Sequence, residues 1–138
     1  MSIVQTQTTS FKKELYTAVH NLATDTIKIA LYTGNANLNE DTTVYSATNE
    51  VVAAGYTAGG EIMTGVAISS SGYVAYANWN NVSWTASLTA RCALIYNATQ
   101  GNKSIAVLDF GSDKTSTGTF TITMPANTST TALIRSSN

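Results

Sequence analysis

Between residues 61 and 124 the chain repeats one phrase, a short run of Val, Ile, Thr, Tyr, Trp or Phe followed by a turn of Gly, Asn and Ser. Branched and aromatic side chains suit a pleated surface, and Gly, Asn and Ser supply the conformations that reverse the chain. The pattern predicts an all-β domain, a β-sandwich or small barrel, and the strand spacing suits a two-sheet antiparallel sandwich with Greek-key connections. Strands are expected at 62–68, 73–79, 82–86, 90–96, 105–110, 119–124 and 132–135. In 119–124, Phe120, Ile122 and Met124 alternate with Thr119, Thr121 and Thr123. One face of that strand packs, and the threonines face water or a neighbour.

Upstream of the repeats the pattern changes twice. Residues 1–9 are polar and uncharged, with Ile3, Gln5 and Gln7 alternating with Val4, Thr6 and Thr8. They read as an extended arm that is mobile alone and becomes an added strand on a partner. Fully extended, such an arm reaches roughly 30 Å, enough to cross onto an adjacent subunit. Ile3, Val4, Gln5, Thr6 and Gln7 are therefore candidate partner-binding residues. Residues 10–138 read as a single domain that opens with one short helix at about 10–23. Ser10 is its expected N-cap, and Phe11, Leu15, Val19 and Leu22 fall on one face. Ile27, Ile29 and Leu31 alternate as a strand over Ile27–Tyr32. Residues 34–43 form a polar loop, 44–53 a partly extended segment, and 55–60 a glycine-rich turn.

Composition narrows the function classes. At 138 residues one domain buries about two-thirds of its unfolded surface and needs no disulfide or zinc to fold. The net charge is −1, and Lys12 and Lys13 are the only adjacent cations, so electrostatic binding to nucleic acid is not expected. No segment has the length of a transmembrane helix, and the first ten residues lack the charged start and apolar core of a signal peptide. The expectation is a protein made in a cytoplasm, with no membrane partner. Cys92 lies in the apolar run 90–96 and reads as a buried small hydrophobe.

Chemistry-bearing residues are sparse. Asn37, Asn39, Glu40 and Asp41 offer oxygen donors in one loop but lack the ordered spacing and central glycine of an EF-hand. Asp109-Phe110-Gly111 has the letters of the kinase magnesium motif without that site's other parts. The lone histidine, His20, falls near the end of the expected helix, where it complements the dipole. Nothing pairs two of Glu50, Glu61, Asp109 and Asp113 for glycoside hydrolysis. No catalytic residue, metal ligand or cofactor is expected, and the chain reads as a non-enzyme. Tyr73, Tyr76, Trp79 and Trp84 cluster within a dozen residues. Aromatic platforms bind sugars or bases, but core or subunit-interface packing weighs more. Tyr76 and Trp79 join the candidate partner-binding residues, and a carbohydrate-binding module stands as an alternative.

Several segments together carry a resemblance. Ser-Phe-Lys-Lys-Glu-Leu at 10–15, Asp25-Thr26-Ile27-Lys28-Ile29-Ala30-Leu31-Tyr32, Thr48-Asn49-Glu50-Val51 and Gly55-Tyr56-Thr57-Ala58-Gly59-Gly60 come first. Leu88-Thr89-Ala90-Arg91, Leu94-Ile95-Tyr96-Asn97 and Leu108-Asp109-Phe110-Gly111 follow. The set resembles a family of small virion structural proteins of tailed bacteriophages and spans nearly the whole chain from Ser10. The resemblance implies a cement (decoration) protein with a jelly-roll fold, located on the capsid surface after synthesis in the bacterial host cytoplasm. It implies the major capsid protein and the chain itself, as a homo-oligomer (dimer or trimer), as partners, and it brings no active site. A neck, tail or fibre-base subunit of the virion is the alternative within that class.

Overall fold

The structure, a computed structural model, describes residues 2–137. It is mostly β with one short helix. In chain order the elements are β1 (Thr6–Gln7), α1 (Thr9–Leu15), β2 (Ile27–Tyr32), β3 (Glu61–Ile62), β4 (Ala67–Ser71) and β5 (Val74–Asn78). There follow β6 (Val82–Trp84), β7 (Thr89–Asn97), β8 (Lys103–Thr115), β9 (Phe120–Ile122) and β10 (Ile134–Ser136). These strands hydrogen-bond into three antiparallel sheets, ordered β1-β8-β7-β2-β3, β10-β5-β4 and β6-β9.

The five-stranded sheet is the frame. Strand alternation sends Ile27, Ile29, Leu31, Ala93 and Ile95 to one face, where Phe11, Ala77, Trp79, Trp84, Phe120 and Ile134 close the main core. Ala30, Tyr32, Cys92, Leu94 and Tyr96 point the other way, into a second core closed by Ala36, Leu38 and Tyr45. Burial on both faces is why 92–96 reads as a continuous apolar run with little alternation. Gly60 makes the closest approach to this sheet. Its φ is +79°, and a Cβ there would sit 1.8 Å from the Ile29 carbonyl oxygen. Only glycine lets the loop lie so near.

The helix is shorter than its hydrophobic spacing predicts. It spans seven residues, and the N-cap is Thr8, whose hydroxyl accepts from the Phe11 N–H, not Ser10. The chain leaves the helix after Leu15 and turns through Ala18 at φ +59°. Phe11 is fully buried, Leu15 and Leu22 are packed at the core's margin, and Val19 lies beyond the turn. A helix this short draws its stability from docking rather than propensity, and the ring of Phe11 supplies the anchor. His20 therefore caps no helical carbonyl. Its ring is buried beside Phe11, with Nε2 2.8 Å from Glu14 Oε1 and Nδ1 3.0 Å from Asn97 Nδ2.

Other boundaries move in instructive ways. The strand expected at 62–68 divides into β3 and β4 around Gly65, whose φ is +69°. Ser69, Ser70 and Ser71, read as the start of a turn, complete β4, and the reversal takes only Gly72 and Tyr73. Residues 44–53 make single bridges at Val44 and Glu50 and no strand.

Candidate interaction surface

The arm is held by its own domain. Ile3 bridges Leu38 in parallel, and the Val4 N–H donates to the Leu38 carbonyl at 3.0 Å. Thr6 and Gln7 pair antiparallel with Val107 and Ala106, extending the edge of β8. Gln5 Oε1 accepts from the Asp109 N–H at 3.1 Å, and Gln7 Nε2 donates to the Arg135 carbonyl at 2.7 Å. The expected mobile, outward-reaching segment is thus an edge strand in cis. Its uncharged, alternating sequence finds main-chain partners in the nearest sheet, and Ile3 reaches the second core. Val4 remains exposed. Between arm and C-terminal segment runs an open groove of about 480 Å³, bordered by Gln5, Gln7, Leu108, Leu133 and Arg135.

The aromatic candidates separate. Trp79 is 5 % exposed and Trp84 2 %, and Trp84 packs at 6.1 Å from both Tyr56 and Phe120. Neither indole offers a face to solvent, so a ring platform built on them has no exposed ring. Tyr76 is half-buried on β5, in register between Ser69 of β4 and Arg135 of β10. Tyr73, at the tip of the β4–β5 hairpin, is 91 % exposed.

Most of the buried titratable chemistry fastens one loop. Glu50 is buried, and its carboxylate accepts from the Tyr45 and Tyr56 hydroxyls, each at 2.5 Å, and from the Gly59 N–H at 2.8 Å. The Tyr56 oxygen also accepts from the Leu31 N–H, Tyr96 donates to the Gly59 carbonyl and Tyr32 to the Ser46 carbonyl. Tyr45 stacks on Tyr96 with ring centroids 4.7 Å apart. Burial is the main force raising these phenols, with the Glu50 carboxylate adding to it. Tyr96 is pushed up to about 12, and Tyr32, Tyr45 and Tyr56 rise further. Burial, then the Asp109 charge, likewise pushes the Cys92 thiol up to about 12. The phenols stay protonated and bridge loop to sheet.

Several of the remaining polar candidates bond to their neighbours in the chain or across it. Asn37 and Asn39 hydrogen-bond each other, and Asn39 Oδ1 accepts from the Asp41 N–H. Among the described residues no three His, Cys, Asp or Glu side chains converge as a metal site. Asp109 accepts from the Gly111 N–H and lies 3.4 Å from Arg91 Nε. Asp25 accepts from the Asn21 N–H and from Asn97, which hold its carboxyl below the usual range.

The feature that strand patterning did not single out is the outer side of β4. All five of its residues are exposed, Ile68 at 55 %, and β5 is its only partner among the described residues. The signal was present in the sequence, since no acidic, basic or histidine side chain occurs from Ile62 to Ala90. Compared with family models, curated proteins and solved structures, the chain finds no match in any of the three.

Proposed function

We infer that the chain is a structural protein of a tailed-phage virion, a cement protein that binds the capsid exterior and stabilises contacts between major capsid subunits. The observation that carries this reading is the character of the exposed surface around β4 and β5. The residues of β4 and β5 themselves offer a strand edge and hydroxyl side chains without charge, chemistry that serves repeated protein contacts. Cross-strand hydroxyl pairs within the molecule, Ser83 with Thr121 at 2.8 Å and Thr89 with Thr115 at 2.9 Å, illustrate how such faces join. Many weak contacts of this kind, repeated over a lattice, add to permanent attachment. The reading includes a symmetric homo-oligomer. It also gives Ile3 to Gln7 a second contact, through the outward side of the docked arm, and Tyr76 a place at the same face.

The same reading takes the two small sheets as the second layer of a jelly-roll-like sandwich. Ala77, Val82, Phe120, Ile122 and Ile134, from β5, β6, β9 and β10, share one core with β2 and β7, which supports that arrangement.

Quantitative mass spectrometry of purified particles, followed by a reconstruction, tests the proposal. A cement protein is expected on the order of hundreds of copies per particle, in register with the capsid lattice. A count of about six or twelve would move the chain to a neck or tail ring. Absence from purified particles would overturn the virion assignment.

A further inference from the structure

The sheet β10-β5-β4 has two outer edges, and they are treated differently. On β10, the Arg135 carbonyl points outward and is taken by Gln7 of the same chain. On β4, among the described residues, no strand lies outside. The two-residue connection makes Ser71 and Val74 the hydrogen-bonded pair that closes the hairpin. By alternation Ser69 and Ala67 also turn their main-chain groups toward β5, whereas those of Ile68 and Ser70 point away. Arg135, opposite Tyr76, obeys the same alternation.

Open edges are ordinarily blunted by charge, proline or a bulge. The free stretch of β8 beyond the arm carries Gly111, Asp113 and Lys114, and β3 carries Glu61. β4 reads Ala-Ile-Ser-Ser-Ser and has no such guard.

We propose that β4 pairs antiparallel with β4 of a second copy of this chain across a two-fold axis through Ser69. Self-complementarity argues for this occupant. With Ser69 opposite Ser69 of the second copy, Ile68 falls opposite Ser70, and each of those residues presents outward N–H and C=O groups. The register therefore exchanges main-chain hydrogen bonds at both Ile68–Ser70 pairs without a mismatch. No charge opposes its like across the axis. The two Ile68 side chains lie on the face that carries Ala77 and Ile134, as diagonal neighbours within reach of each other. The two three-stranded sheets then merge into one continuous sheet, with the tips bearing Tyr73 at the margins. A two-fold contact uses one patch twice and closes on itself.

The interface is small, well below the roughly 1,200 Å² of standard stable complexes, so association is concentration-dependent. The inference deepens the homo-oligomer in the functional reading but stands on the strand edge alone. Absence from virions would leave it intact, and its failure in solution would leave the virion reading intact.

Sedimentation equilibrium over a wide concentration range is the test. The wild-type mass is expected to rise from monomer toward twice that value and no further. Ser69→Lys, which sets two cations face to face, should keep the protein monomeric with an unchanged melt. Ser70→Pro removes an outward N–H while sparing the β5 ladder and should do the same; if it fails to fold, Ser69→Lys still decides. Ser69→Cys should cross-link to a covalent dimer on mild oxidation, since opposed residues in a non-hydrogen-bonded pair approach to disulfide range. The buried Cys92 does not compete. A wild type that stays monomeric at millimolar concentration would overturn the proposal. So would a dimer indifferent to Ser69→Lys, or a mass that climbs past two copies.

Discussion

β7 and β4 are both antiparallel strands, and they occupy opposite extremes of the molecule. β7 has β8 on one side and β2 on the other, and its residues Cys92 to Asn97 are buried on both faces. Among the described residues β4 has β5 alone, and none of its own residues is buried. Ala and Ile occur in both, so strand propensity does not separate them. Position in the sheet does. A central strand specifies the fold, and an edge strand with small, neutral residues remains available.

The contrast is broken most severely at the buried side. Phe11→Ala removes a fully buried ring and is expected to cost about 3–5 kcal/mol, read from the urea midpoint at unchanged slope. A cost below about 1 kcal/mol would show that the helix is not part of the frame. Glu50→Gln comes next. It replaces an acceptor of two phenols and a backbone N–H with a group that must donate from one arm. Hydrogen bonds to a charged group are worth about 1.5–3 kcal/mol, and a loss in that range is expected. No change would mean that the loop is held by packing alone.

What was legible in the sequence follows the same division. The central strands were readable because burial imposes an apolar pattern, and Ile27–Tyr32 came out with its bounds intact. The helix was overextended because Phe11, Leu15, Val19 and Leu22 keep helical spacing, while the turn at Ala18 and the pinned ring of His20 are tertiary facts. The arm looked free because its residues have no internal partner; Leu38, Ile105 and Ala106, distant in sequence, provide one. The Glu50 network could not be assembled for the same reason. It joins Tyr32, Tyr45, Tyr56, Gly59 and Tyr96 from four separated segments, most of them within the motifs that carried the family resemblance. Those motifs are structural ties in this fold. β4 was the least legible, since exposed serines read as a turn and only the pairing with β5 makes them a strand.

Alkaline titration sharpens the comparison, because the shifted phenols all belong to the buried region. A phenol whose folded value is raised stays neutral in the native state while its unfolded counterpart ionises. Its contribution is complete below about pH 10. It is lost as the pH rises through about 12 for Tyr96. Cys92 acts in the same direction from about pH 8.5–9 upward. The melting temperature is therefore expected to fall steadily on the alkaline side of pH 9. A melting temperature flat to pH 12 would show that water reaches the Tyr45–Tyr96 stack.

The smallest effect belongs to β4. Ile68 lies in register with Ala77 and Ile134, on the side of the sheet that faces the main core, yet 55 % of it is exposed. Ile68→Thr keeps the β-branched shape and the strand propensity while removing apolar surface that is largely wet already. In dilute protein, where any pairing between copies has dissociated, the change in unfolding free energy should stay within about 0.5 kcal/mol. The equivalent substitution at Ile95, buried on β7, should cost several times more, because it strands a hydroxyl in the core. If the two substitutions cost the same, β4 is a working part of the frame. The openness of its edge would then be a by-product of packing rather than the property that sets this strand apart.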